Sequence, residues 1–236
     1  MSEPSGERTN LAEGEPSGEV GLLDGLATTR AIRRFRPDPV SDEDLAAVFF
    51  GATRAPSGSN RQPFRFLVLR DGPRAREARA LLGRAFREAW QVKATADDYP
   101  EDDSRRGRTA RALRQFVEGF EDVPVVVLAC FVRYRAPHPT EGASVYPACQ
   151  NLLLAARARG LGGVLTMWHA AVEDELRAVL GMPDGVAIAA TIALGHPEGG
   201  HGPVRRRPVR ELVYEDAWEA PAPWAEDPPG TRFTRG

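Results

Sequence analysis

An α/β or α+β sandwich built around a buried sheet is the fold class this sequence predicts, and three observations predict it. Val123–Val132 (VPVVVLACFV) and Val186–Pro197 (VAIAATIALGHP) are almost wholly apolar, as strands covered on both faces must be. Other segments carry apolar residues at helical spacing, such as Leu45, Val48, Phe49 and Ala52. The strand-like and helix-like patterns alternate along the chain, which layers helices on a sheet.

The elements follow in order. Residues 1–20 are rich in Ser, Glu, Gly and Pro with almost no apolar anchors, and are expected to be a disordered tail. From Leu22 the pattern turns helical and runs into TTRAIRRFRPDPV, where Pro37 and Pro39 force an extended exit. Ser41 with Asp44 forms a capping box for a helix that ends near Arg54. Phe64–Arg70 (FRFLVLR) reads as a strand. Leu81, Leu82, Ala85, Phe86, Ala89 and Trp90 form a helical stripe, DDYPEDDS interrupts it, and Leu113, Phe116, Val117 and Phe120 mark a second helix. This pair reads either as a lid, with Lys93–Ser104 as the closing segment, or as ordinary packing helices. A helix over YPACQNLLLAARARG stops at Gly160; GGVLTMW is a short strand or loop, and VEDELRAVLGM a helix.

At 236 residues the chain can bury a sizeable core, and one main domain is the simplest division. Its 33 acidic residues outnumber its 31 basic ones for a net charge of -2, which argues against bulk nucleic-acid affinity. No segment approaches the ~20 apolar residues that span a bilayer. Cys130 and Cys149 lie inside apolar or helical stretches and read as reduced core thiols, so a cytoplasmic location is expected. His138, His169, His196 and His201 sit singly, without metal-ligand spacing or a nucleophile partner, and His196 reads as a structural turn residue. Trp218, Trp224 and Phe233 lie in a proline-rich tail, residues 217–236, that has no core of its own. Wrapping a partner subunit and simple disorder are the two readings of that tail.

Four segments carry the chemical signal. TRAIRRFRP places Arg30, Arg33, Arg34 and Arg36 close together, and PVRRRPVREL adds Arg205, Arg206 and Arg207. Guanidinium forks match phosphate oxygens, although arginine runs are also common on solvated faces. Between them lie the PSGSN loop, Pro56–Asn60, and GLGGVLTMW. That loop holds more small polar residues than a turn requires, which points to a ligand. Neither glycine stretch is a phosphate fingerprint: GLGG lacks the spacing and acidic partner of a dinucleotide site, and GxxxxGK[ST] is absent.

In combination and order, TRAIRRFRPDPV, APSGSNRQPFRFLVL, YPACQNLLLAARARGLGGVLT and ALGHP with RRRPVREL resemble the motifs of the FMN-dependent nitroreductase superfamily over roughly Leu22–Glu215. The resemblance implies an α+β fold with a central, mostly antiparallel sheet flanked by helices, an FMN-binding domain over residues 21–216 and an extended C-terminal tail. It implies FMN as the carrier of the chemistry, NAD(P)H as electron donor and a small organic acceptor: a nitroaromatic, a quinone or a pathway intermediate. It also implies a homodimer with FMN at the interface.

By position, the resemblance sets Arg30 and Arg33 beside the FMN phosphate and ribityl chain, and Arg206 on the same phosphate. Pro56, Ser57 and Asn60 fall on the loop that meets the ribityl chain and ring, and Leu165, Thr166 and Met167 on the turn whose backbone faces the flavin. Thr29 and Ala31 stand where the family often has Arg and Ser, so phosphate binding leans on the remaining arginines. The GGVLTMW turn lacks the acidic residue that some members place near the flavin. An FMN-binding protein without turnover, and a specialised dehydrogenase in a biosynthetic pathway, are the alternative readings.

Overall fold

The two apolar runs become the two central strands of one sheet. The computed structural model describes residues 20–231; the tail expected over residues 1–20, apart from Val20, and Phe233 fall outside that range. Six helices are described: α1 (Leu22–Thr28), α2 (Asp42–Thr53), α3 (Pro73–Ala96), α4 (Arg105–Glu118), α5 (Tyr146–Ala158) and α6 (Glu173–Leu180). The strands are β1 (Phe64–Leu69), β2 (Val125–Val132), β3 (Gly162–Thr166) and β4 (Val186–Gly195). Their order is β1-β2-β4-β3, with every neighbouring pair antiparallel. The architecture is the α+β sandwich, and GGVLT resolves as a strand rather than a loop.

Alternation along β2 explains why that strand is apolar throughout. Val126, Leu128 and Cys130 face Leu82, Phe86 and Trp90 of α3, Phe116 of α4 and Leu176 of α6. Val125, Val127, Ala129 and Phe131 face Val48 and Ala52 of α2 and Cys149 and Leu152 of α5. Successive side chains point to opposite faces, so a strand covered on both sides has no position left for a polar residue. Each fully buried Leu or Val contributes roughly 1.5–3 kcal/mol relative to exposure.

α3 and α4 are core-packing helices. The Phe86 ring lies 4.3 Å from that of Phe120 and 5.5 Å from that of Trp168. Even Tyr99, in the acidic interruption, stacks 5.5 Å from Trp90. On the opposite layer, the Ser41 hydroxyl accepts from Asp44 N at 3.0 Å and donates to its carboxylate at 2.7 Å, which caps α2. Arg159 Nε, just beyond α5, reaches the same carboxylate at 2.7 Å. That ion pair fixes the start of α2 against the end of α5.

Cys130 and Cys149 are buried and unpaired, and burial pushes their thiols up to about 11 and about 12. Beyond Val204 the chain forms a turn-rich arm folded on itself rather than a tail without internal contacts. Trp224 Nε1 donates to Glu215 Oε1 at 2.8 Å, Val209 N to Asp227 Oδ2 at 3.1 Å, and the Tyr214 and Trp218 rings lie 5.1 Å apart. Among the described residues, every hydrogen bond made by residues 205–231 stays inside this arm. Its large apolar side chains nonetheless face outward, with Trp218 83% and Trp224 64% exposed.

Candidate functional site

β3 is an edge strand, and two glycines let other chain segments press onto its start. Ile32 N donates to Gly163 O at 2.9 Å. A Cβ on Gly162 would lie 2.6 Å from Ile32 Cγ1, and one on Gly163 2.7 Å from Ala193 O. Such contacts are too short for any side chain, so close approach is what these positions require. The arginine-rich segment therefore lies directly on the beginning of β3.

That segment also pairs with the chain leaving β4. Arg36 N donates to His196 O at 2.8 Å, Glu198 N to Arg34 O at 3.1 Å, Gly202 N to Thr28 O at 3.1 Å and Val204 N to Ala27 O at 2.9 Å. Arg30 Nη2 reaches Gly200 O at 2.7 Å across 170 positions of sequence. Arg206 follows two residues after the last of these backbone bonds. Arg30 and Arg206 are exposed and Arg33 is half-buried; burial lowers the Arg33 pKa, opposed by Tyr99. Among the described residues none of the three has a carboxylate partner. Arg33 lines a cleft that it shares with Phe116 of α4, Asp122 and Glu198, so Arg30 and Arg206 are the cations left without acidic neighbours among the described residues.

The opposite end of the sheet, where β3 ends and, at the other edge, β1 begins, is built differently. In the PSGSN loop, Ser57 Oγ accepts from Gln62 N at 2.9 Å and Asn60 Oδ1 from Gln62 Nε2 at 3.1 Å. Ser59, Asn60 and Gln62 hold φ of 52°, 50° and 49°, left-handed values that cost a side-chain-bearing residue energy and cluster at ligand sites. Gly58 N donates to Ser144 Oγ at 3.3 Å, tying the loop to the turn before α5. Tyr146, the first residue of α5, donates from its hydroxyl to Ala189 O at 3.3 Å and lies 3.8 Å from Met167 Sδ.

A β-bulge in β4 makes that carbonyl available. The register slips between Ala129 and Cys130, whose partners are Ala190 and Ile188, so Ala189 has no cross-strand partner. The extra residue reverses the faces: Ile188 packs with the α3 layer, whereas Ala190, Ile192 and Leu194 pack with the α2 layer. Side chains satisfy the displaced backbone, with His169 Nε2 3.0 Å from Ile188 O and Glu173 accepting from Ile188 N at 3.2 Å.

The sequence-predicted residues thus fall into two groups. Arg30, Arg33 and Arg206 lie on the segments that meet the Gly162 end; Leu165, Thr166 and Met167 run to the other end, which Tyr146 and Ser144 link to Pro56, Ser57 and Asn60. Among the described residues no hydrogen bond joins the PSGSN loop to Arg30, Arg33 or Arg206. α5 runs between the two ends, and its rise from Tyr146 to Arg157 is roughly 16 Å. Sequence reasoning missed Ser144, Tyr146, Arg157 and His201 as neighbours of the site. An arginine inside the otherwise Ala- and Leu-rich LLLAARA stretch was the one available signal.

A cleft of about 680 Å³ lies elsewhere, lined by Pro37, Pro39, Arg70, Arg79, Glu121 and Pro124 among others. Its buried Arg79 is already spent on the carbonyls of Arg70 and Val123. Among the described residues no group of three or more His, Cys, Asp or Glu side chains could hold a metal ion, and no helix is long and apolar enough to cross a membrane.

Known proteins resemble this chain in sequence and in fold. The family model described as "Nitroreductase family" matches residues 26–196. An NADH dehydrogenase of Thermus thermophilus is 31% identical over 189 residues, covering 78% of this chain and 90% of that protein. A 5,6-dimethylbenzimidazole synthase of Rhodospirillum rubrum is 29% identical over 208 residues, covering 84% of this chain and 89% of its own. A nitroreductase from Desulfovibrio desulfuricans, solved in complex with FMN, superposes with a TM-score of 0.60 at 30% identity, over 83% of this chain and 96% of that one.

Proposed function

The chain belongs to the nitroreductase family, and from that premise we propose that it is an FMN-dependent oxidoreductase passing electrons from NAD(P)H to a small organic acceptor. A nitroaromatic, a quinone or a biosynthetic intermediate are the acceptor classes. The observation that carries the reading is a pair of features on one sheet: arginines without carboxylate partners among the described residues beside the start of β3, and a strained polar loop leading into β1, the opposite edge strand.

The residues fit that cofactor. Half-buried Arg33, with exposed Arg30 and Arg206, supplies cationic donors for a phosphate and ribityl chain. Pro56, Ser57 and Asn60 meet the ribityl chain and ring, and the backbone of Leu165, Thr166 and Met167 faces the ring plane. When bound, FMN supplies hydride and electron transfer; the protein supplies position and field. The bulge carbonyl of Ala189 fixes Tyr146, which steadies Met167 against the β3 edge. Backbone N–H groups beside the ring would stabilise negative charge that develops during reduction. No side chain is required as a nucleophile.

We take residues 21–216 as the FMN-binding unit and the following tail as an extension, in a homodimer with FMN at the interface. Within one chain the PSGSN loop and the arginines are not joined, so a partner copy is a natural source of the missing half of each site. Exposed Leu22 and Leu23 on α1, and Trp218 and Trp224 on the arm, supply apolar surface for that contact. A monomer in light scattering with FMN bound would sink the dimer. Free, high-pKa thiols at Cys130 and Cys149 suit the cytoplasm.

Initial-velocity kinetics with NADH or NADPH and a quinone test the activity. Parallel double-reciprocal lines are expected, because donor and acceptor would use one site in turn. NAD(P)H consumption no faster than with free FMN would contradict the proposal.

A further inference from the structure

Five side-chain polar atoms among the described residues are buried without a partner, and three of them, Thr29 Oγ1, Arg157 Nε and His201 Nδ1, belong to segments that converge at the Gly162 end of β3. Thr29 adjoins Arg30 and Thr28, whose groups bond Gly200 O and Gly202 N on either side of His201. His201 Nε2 lies 3.1 Å from Leu161 O, the residue before β3. That contact assigns the hydrogen of the neutral imidazole to Nε2 and leaves Nδ1 bare. The side chain of Arg157, in the last turn of α5, has no hydrogen bond or ion pair among the described residues, and its Nε is buried. Both Arg157 and Arg30 stand close enough to His201 to repel its protonated form.

Buried polar atoms are normally paired, and cations are normally matched by carboxylates. Here a histidine, two arginines and a hydroxyl meet with no acid among the described residues, a set that an anion would complete. A tetrahedral phosphate monoester accepts several such donors at once, and guanidinium binds it in a fork. The cluster adjoins Thr29 and Ala31, where the expected arginine and serine are absent.

We propose that Arg157 and His201, with Thr29, are phosphate-holding residues of this chain, supplying from α5 and the post-β4 loop the charge and donor missing at positions 29 and 31. The assignment rests on the FMN reading above, which names the phosphate monoester. Protonated His201 donates from Nδ1, Arg157 from its guanidinium and Thr29 from its hydroxyl. In the ligand-free chain, burial lowers the His201 pKa against the Leu161 hydrogen bond, and Arg157 and Arg30 lower it further. A bound phosphate opposes those two cations, so it raises the pKa.

The test uses the full chain freed of flavin by dialysis, with FMN, riboflavin and inorganic phosphate as probes. Arg157→Met is expected to weaken FMN about tenfold or more by fluorescence titration, the loss of one charge-assisted contact. Riboflavin, which lacks the phosphate, should change less than twofold. By NMR, the His201 pKa should rise with FMN and stay put with riboflavin, and His201→Gln should remove the titrating signal. Equal weakening of both flavins, or a His201 pKa unmoved by FMN, overturns the proposal. A His201 pKa that responds to inorganic phosphate but not to FMN overturns the assignment to the cofactor and marks a free-phosphate site. Failure of the wild-type chain to bind either flavin would defeat the FMN reading, and the inorganic phosphate titration would still decide whether the cluster holds an anion. The NMR titration uses unsubstituted protein and stands even where Arg157→Met fails to fold.

Discussion

The two ends of β3 solve opposite problems. At the Thr166 end, polar groups find one another: Ser57 and Asn60 hold Gln62, Ser144 holds Gly58, and Tyr146 takes the bulge carbonyl of Ala189. At the Gly162 end the backbone pairs, but among the described residues single atoms of Thr29, Arg157 and His201 are buried without a partner beside arginines that have no carboxylate partner. The first end is a rigid shape prepared in advance, suited to a flat, mostly neutral ring. The second is a concentration of positive charge and idle donors, suited to an anion. One ligand with both a ring and a phosphate, held between two copies of the chain as proposed, would reconcile them.

The comparison breaks most severely if β3 is dislodged, because both ends hang on it. Gly163→Val would place a Cβ 2.7 Å from Ala193 O, a backbone atom with little freedom to move. Overpacking of this kind costs about 1–3 kcal/mol. A lower denaturant midpoint and loss of both FMN and riboflavin binding are expected; an unchanged midpoint would show that β3 tolerates the side chain.

Arg30→Ala and Ser57→Ala sharpen the contrast. Removing Arg30 should weaken FMN by about 1.5–3 kcal/mol, as for a hydrogen bond to a charged group, and leave riboflavin nearly unchanged. Removing the Ser57 hydroxyl deletes the 2.9 Å bond from Gln62 N and should weaken both flavins alike, by about 1 kcal/mol. Fluorescence titrations with the two flavins check both; the reverse pattern would exchange the roles of the two ends.

The smallest effect is expected at the cysteines, which lie at neither end. A thiol raised to about 11 or about 12 is almost wholly protonated at pH 8, and the thiolate is the reactive form. Iodoacetamide should therefore leave Cys130, Cys149 and flavin content untouched in the native protein, with both thiols labelled in urea by mass spectrometry. Rapid native labelling would contradict their placement in the core.

The sequence showed some of this arrangement better than the rest. β2 and β4 were legible because a strand buried on both faces writes itself as an unbroken apolar run. The Ser41 cap was legible because its partner lies three residues away. β3 was ambiguous: it has five residues, two of them glycines, and close approach by Ile32 is a tertiary demand that no local pattern records. The bulge at Ala189 was hidden because an extra alanine in an apolar run changes the facing of its neighbours without changing composition. Arg157 and His201 escaped for a related reason. Each is unremarkable locally, one near a helix end and one between glycines, and only the fold brings them to the arginine segment. The motif residues proposed for the ring and phosphate were found through family resemblance rather than periodicity.

The central claim, that β3 cradles a flavin reduced by a nicotinamide donor, is tested most directly by the visible spectrum of the purified protein. It is recorded under anaerobic conditions before and after adding NADPH, then NADH. The account predicts a yellow protein whose flavin absorbance bleaches with at least one donor. A colourless protein that FMN cannot reconstitute, or a flavin that neither donor bleaches, would contradict it.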